Sequence, residues 1–250
     1  MENTEKTTKP ERELMVKKES VARCRYMGKR LGLMFWLTIA NIIMVIAAIA
    51  VLALIYQDAI DSNTDIQLQS INTWKLTVSA LSLVIGLVNA ITVITMKKVH
   101  DGFMGAGVLL ICMAVLSFIQ GMCETRFGSN LCEIISAVCA IPYIVGFTKT
   151  MSSCLEHTDA QLAEEWDKFR GSIKWLLIVL GACFILIFVP LINILALIAV
   201  YGCAIAAFFM SIWHIILLKK SASSMKIVGD RLEMELAEAG GLILLWKRSS

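Results

Sequence analysis

The residues that could carry chemistry are few, and the first of them are one cysteine and two histidines. Cys154 and His157 have the Cys-x-x-His spacing of half a metal site, and His100 is a third candidate ligand. A thiolate and imidazoles together can bind zinc or copper. Because the sequence has no second spaced pair, we interpret these residues as unrelated loop or interface side chains and predict neither a metal nor a cofactor.

Two further cysteines are candidates for a disulfide bond. Cys123 and Cys132 would close a short loop, and the topology derived below places only these two cysteines on the non-cytoplasmic face. A disulfide requires Cα atoms within about 7 Å of each other. The sequence leaves two alternatives open, a bonded pair or two thiols too far apart to react.

Catalytic motifs are missing from the sequence. It contains no His-Glu-x-x-His zinc signature and no glycine loop of the Walker or Rossmann type. The interiors of its apolar runs also hold no Asp, Glu, Lys or Arg, the residue types on which proton carriers, voltage sensors and aspartyl intramembrane proteases depend. We therefore predict that the protein is not an enzyme.

Small and polar residues inside the apolar runs are candidates for helix packing, because small side chains let membrane helices approach closely. The alternative is a polar solute path lined by the same side chains. The candidates are a stripe at i, i+3, i+7 and i+10 and a small-xxx-small pair, namely Ser79, Ser82, Gly86 and Asn89, and Gly202 and Ala206.

Two asparagines are predicted to pair within the membrane. Counting along the helices places Asn41 about 15 Å and Asn89 about 11 Å from the same membrane face. A lone amide in hydrocarbon has no water to satisfy it, so we expect the two amides to bond to each other or to share a third partner.

The composition is that of a membrane protein. Of the 250 residues, 58% are hydrophobic and only 17% are charged, whereas soluble domains are about 45–50% apolar even with glycine counted. Mean hydropathy is +0.74. This composition excludes a disordered chain, and a net charge of +3 is too small to indicate nucleic-acid binding. The sequence predicts an all-α integral membrane protein.

Six transmembrane helices follow from the uncharged runs. A spanning helix needs about 20 residues, and the 44-residue run 175–218 is too long for one span, so we divide it at the turn residues 190–193. The predicted spans are 31–57, 76–96, 102–123, 131–148, 175–189 and 193–218.

The orientation follows from the basic residues, which accumulate in cytoplasmic segments. Six spans place 21 of the 23 Lys and Arg on one side, and only Lys75 and Arg126 on the other. We therefore predict a multi-pass protein of the cell membrane with both termini cytoplasmic. Its domains are a basic N-terminal segment 1–30, a transmembrane domain 31–218 and a tail 219–250.

Two helices are predicted in the cytoplasmic segments. The basic N-terminal helix could bind anionic lipids at about 1 kcal/mol per basic residue, or its charges could serve orientation alone. Between spans four and five, a capping box from Thr158 to Gln161 opens an amphipathic helix with Leu162, Trp166 and Phe169 on one face. That face could dock under the bundle or receive a partner helix.

These observations predict a non-catalytic polytopic protein that acts as a subunit or interaction component of a membrane complex. Its expected partners are the lipid bilayer and either another protein or a second copy of this chain, with no nucleic acid. A small-solute transporter or channel subunit is the alternative, and a membrane enzyme comes third.

Overall fold

The computed structural model describes residues 9–61, 66–123, 125–186, 189 and 193–249, and its regular structure there is entirely helical. A 3₁₀ turn, Met96–Lys98, links the second and third helices. Six helices are long and apolar enough to cross a membrane, which confirms the predicted all-α class and the predicted number of helices of that length. They are α1 (Lys9–Asp61), α2 (Ile66–Thr95), α3 (Gly102–Met122), α4 (Arg126–Leu155), α5 (Ala160–Leu186) and α6 (Asn193–Ser249).

The helices form a closed ring in which each packs against its neighbours in sequence. Helix α6 completes the ring by packing along α1. We call the end that holds the α2–α3 and α4–α5 connections the basic end, because the described Lys and Arg residues other than Lys75 and Arg126 lie in segments toward it. The ends of α1, α3 and α5 and the beginnings of α2, α4 and α6 lie at the opposite end.

Helices α1 and α6 extend well past the bundle at the basic end. At 1.5 Å per residue, their 53 and 57 residues measure about 80 and 85 Å, against a hydrocarbon thickness of about 30 Å. The predicted basic N-terminal helix is therefore the first part of α1 and not a separate element. Its Arg25 bonds Glu233 of α6 at 3.0 Å, and Lys17 pairs with Glu235 at 3.3 Å.

The predicted amphipathic helix is likewise the first part of α5. Its cap differs from the prediction, because Asp159 Oδ1 accepts the bond from the Leu162 N–H at 3.1 Å. Thr158 instead donates its hydroxyl to the Leu155 carbonyl, which belongs to the last turn of α4. The predicted turn at 190–193 falls largely outside the described residues, and α6 begins at Asn193.

The main buried core lies toward the basic end, where the last turns of α2 and α4 and the first turns of α3 and α5 meet the middle parts of α1 and α6. Its largest side chains, Trp166, Phe103, Phe147, Leu31 and Leu217, are 0–1% exposed. Toward the opposite end, many large apolar side chains are exposed, as expected for surfaces that face lipid, where apolar burial gives helices little reason to associate. Tight packing therefore fixes the positions of the helices relative to one another at the basic end.

Candidate interaction surface

An aromatic cluster fixes the beginning of α5 inside the bundle. The Trp166 ring lies 5.6–5.9 Å from the rings of Phe147, Phe169 and His214, measured between centroids. Its indole Nε1 donates to Ser221 Oγ of α6 at 2.9 Å. The predicted apolar face of Leu162, Trp166 and Phe169 is buried within the chain, so it docks in the bundle.

Next to this cluster, polar side chains join α6 to the beginning of α5, and we call these contacts the polar seam. Lys220 Nζ lies 2.8 Å from both carboxylate oxygens of Glu165, and Ser224 donates to Asp159 Oδ2 at 2.7 Å. The sequence prediction missed the partners on α6, because serines in a charged tail have no distinctive pattern. The seam fixes the rotation of α6 relative to α5 beyond the last apolar run.

Beside the seam lies a groove of about 440 Å³ between α5 and α6. Helix α5 begins at Ala160, and α6 extends beyond this point at the basic end. The face of α6 toward the groove carries apolar side chains. Ile227 lines the groove and is 57% exposed, and Met234, seven residues further on, is 63% exposed. Arg231 also lines the groove and has no carboxylate partner among the described residues. We call Ile227, Arg231 and Met234 the tail surface.

The tail surface combines exposed apolar side chains with one unpaired guanidinium. Outside a membrane, clustered exposed apolar residues mark binding sites more often than isolated ones do. An amphipathic helix with an apolar face and an acidic residue has the matching chemistry.

The predicted packing stripe lies partly in the contact between α2 and α3. A Cβ added to Gly86 would lie 2.8 Å from Ala114 Cβ, and one added to Gly121 would overlap Ser79 Oγ. Ser82 and Asn89 are half-buried. Ser79 and Gly86 therefore lie where α2 and α3 approach each other closely.

The second predicted packing pair, Gly202 and Ala206, does not lie in a close contact with another described helix of this chain. A Cβ on Gly202 would meet no atom within 4 Å, and Gly202 is exposed. Both residues instead line an open apolar groove of about 480 Å³ between α5 and α6. Small residues permit close approach, but they do not require it.

The predicted pairing of Asn41 with Asn89 is not formed. Asn41 is exposed, and Asn89 Oδ1 is buried without a hydrogen-bond partner among the residues that the structure describes. Helices α1 and α2 are joined instead by the Tyr26 hydroxyl, which donates to the Thr95 carbonyl at 2.9 Å. Equal depth does not fix the rotation of each helix about its axis, and the prediction used depth alone.

The candidate metal ligands are not brought together. His157 is exposed, and His100 Nδ1 accepts the Gly102 N–H at 3.0 Å. Burial raises the pKa of the Cys154 thiol to about 11, which favours the neutral thiol over the thiolate that binds metal. Within the described part of the chain, no three His, Cys, Asp or Glu side chains form a group able to hold a metal.

The two cysteines predicted as disulfide candidates, Cys123 and Cys132, lie close together in the structure. All eight cysteines are free thiols in the structure. Those of Cys123 and Cys132 are neighbours at the α3–α4 connection.

Comparison with known proteins finds no family model, no curated protein sequence and no solved structure that matches the chain. The six apolar helices are consistent with a multi-pass membrane protein.

Proposed function

We propose that the protein is a non-catalytic subunit of a membrane complex, which binds its partner through the tail surface. In this proposal it spans the cell membrane six times with both termini in the cytoplasm, because basic residues accumulate on that side. The exposed Lys29 of α1, two residues before the first predicted span, then lies at the level of anionic lipid headgroups.

The observation that carries the proposal is the exposure of Ile227 and Met234. Both lie beyond the uncharged run 193–218, so lipid does not account for their exposure. The aromatic cluster and the Lys220–Glu165 ion pair hold this part of α6 in place. A surface held in this way needs little ordering when a partner binds, which lowers the entropic cost of association.

We predict that Ile227→Glu combined with Met234→Glu abolishes recovery of a stoichiometric partner. A carboxylate placed in an apolar contact loses hydration without gaining a partner, so it opposes binding. The measurement is purification from native membranes in mild detergent, followed by mass spectrometry of the co-purified proteins.

Lys226→Glu is the matched control, because Lys226 is exposed on α6 next to Ile227 but does not line the groove. The control is expected to retain the partner. Equal recovery with wild type and the double variant, at similar thermal stability, would contradict the assignment of the surface.

The proposed topology predicts opposite labelling at the two ends of α4. In a cysteine-free background, an impermeant maleimide should label Phe127→Cys in intact cells and Ser153→Cys only after permeabilisation. Both positions are exposed and lie on one helix, so they differ in side of the membrane rather than in burial. External labelling at position 153 would overturn the cytoplasmic placement of the α4–α5 connection.

A transporter or channel subunit is the second candidate, favoured by the buried and unpartnered Asn89 Oδ1. A solute or water that donates a hydrogen bond would satisfy this acceptor. Solute release from liposomes containing the purified protein, and its loss in Asn89→Leu, would support this candidate over the complex subunit.

A further inference from the structure

The connection between α3 and α4 brings two thiols to one place. Helix α3 ends at Met122 and α4 begins at Arg126, so the turn is short. The Thr125 hydroxyl oxygen caps α4 by accepting the Gly128 N–H at 3.3 Å. Cys132 follows Gly128 by four residues, and residues at that spacing lie on the same face of a helix.

Gly128 leaves the space that the sulfur of Cys123 occupies. A Cβ added at Gly128 would lie 3.2 Å from Cys123 Sγ and 3.7 Å from Cys123 Cβ. The sulfur therefore lies against the first turn of α4, on the face that carries Cys132 one turn further along. Both cysteines are half-buried, so a small reagent can reach them.

We propose that Cys123 and Cys132 are a redox-active dithiol that closes to an intramolecular disulfide by exchange with a small-molecule disulfide such as oxidised glutathione. One cysteine thiolate attacks a glutathione sulfur, forms a mixed disulfide and releases one glutathione thiolate. The second cysteine thiolate attacks the cysteine sulfur of that mixed disulfide and releases the other. The two cysteines lose two electrons, and the two glutathione thiolates take up the two cysteine protons.

Closure would fasten α3 to α4 at the end of the bundle where many large apolar side chains are exposed. The main buried core lies at the basic end. A covalent link at the α3–α4 connection would therefore stabilise a region where fewer side chains are buried. A disulfide limits the conformations available to the unfolded connection and raises the stability of the hairpin.

The test uses the full-length protein in mild detergent, with Cys112→Ser, Cys139→Ser and Cys154→Ser introduced to remove the other thiols of these two helices. After oxidised glutathione and alkylation, trypsin cleaves at Arg126 and separates the two cysteines. We expect a disulfide-linked pair of peptides that reductant releases. Recovery of both cysteines alkylated, or of stable glutathione adducts alone, would overturn the proposal.

Gly128→Val provides a geometric test, because its side chain would displace Cys123 Sγ. We expect closure to slow several-fold in Gly128→Val and less in Gly128→Ala. Gly146→Val is the control, since a Cβ at Gly146 of α4 meets no atom within 4 Å. Closure at the wild-type rate in both Gly128 variants would overturn the role assigned to this glycine.

Discussion

Replacing Trp166 with alanine is expected to destabilise the protein by about 3–5 kcal/mol, the cost of truncating a buried tryptophan. Trp166 is 0% exposed and contacts rings from both α4 and α6. Its removal leaves a cavity between α4, α5 and α6, and it also removes the donor to Ser221 Oγ. Both losses weaken the junction of three helices.

Trp175→Ala is the matched control for this prediction. Trp175 lies nine residues further along the same helix but is 69% exposed, so its truncation removes little packing within the chain. The measurement is the free energy of unfolding of wild type and both variants in one detergent. Similar losses for the two variants would show that the aromatic cluster does not hold α5 in the bundle.

The part of the fold that the sequence predicts is the part determined by composition and by spacing along one helix. Uncharged runs of bilayer length predict six helices, and the spacing of Leu162, Trp166 and Phe169 predicts the buried face of α5. The charges of Glu164 and Lys168, four residues apart, pair at 2.9 Å. Local periodicity is sufficient for such features because both partners belong to the same helix.

Contacts between different helices are less predictable, because they depend on rotation and tilt that no single helix encodes. Asn41 and Asn89 were placed at similar depth, yet they do not bond. Gly202 has the small-residue pattern of a helix contact, yet a Cβ added there would meet no described atom within 4 Å. The ion pairs that join Arg25 and Lys17 to α6 were missed because more than 200 residues separate the partners in sequence.

A buried glycine at the α2–α3 contact allows the relative rotation of these two helices to be tested by mutation. Gly107 of α3 is buried, and a Cβ there would overlap Ile94 Cγ1 and lie 3.1 Å from the backbone oxygen of Ala90. The side chain of Ile94 can move, but the backbone of α2 can yield only if the helices separate. Gly107 is therefore a position where close approach of two backbones requires glycine.

Gly107→Leu is expected to destabilise the protein by about 1–3 kcal/mol, the usual cost of overpacking. Gly105→Leu is the control, because Gly105 is exposed, belongs to the same helix and has no atom within 4 Å of an added Cβ. Both changes replace glycine with a better helix former, so the local propensity gain is shared and cancels in the comparison. The measurement is thermal unfolding of both variants in mild detergent. Equal stability would mean that α2 and α3 do not meet at Gly107, whereas a loss confined to Gly107→Leu fixes the facing sides of these two helices.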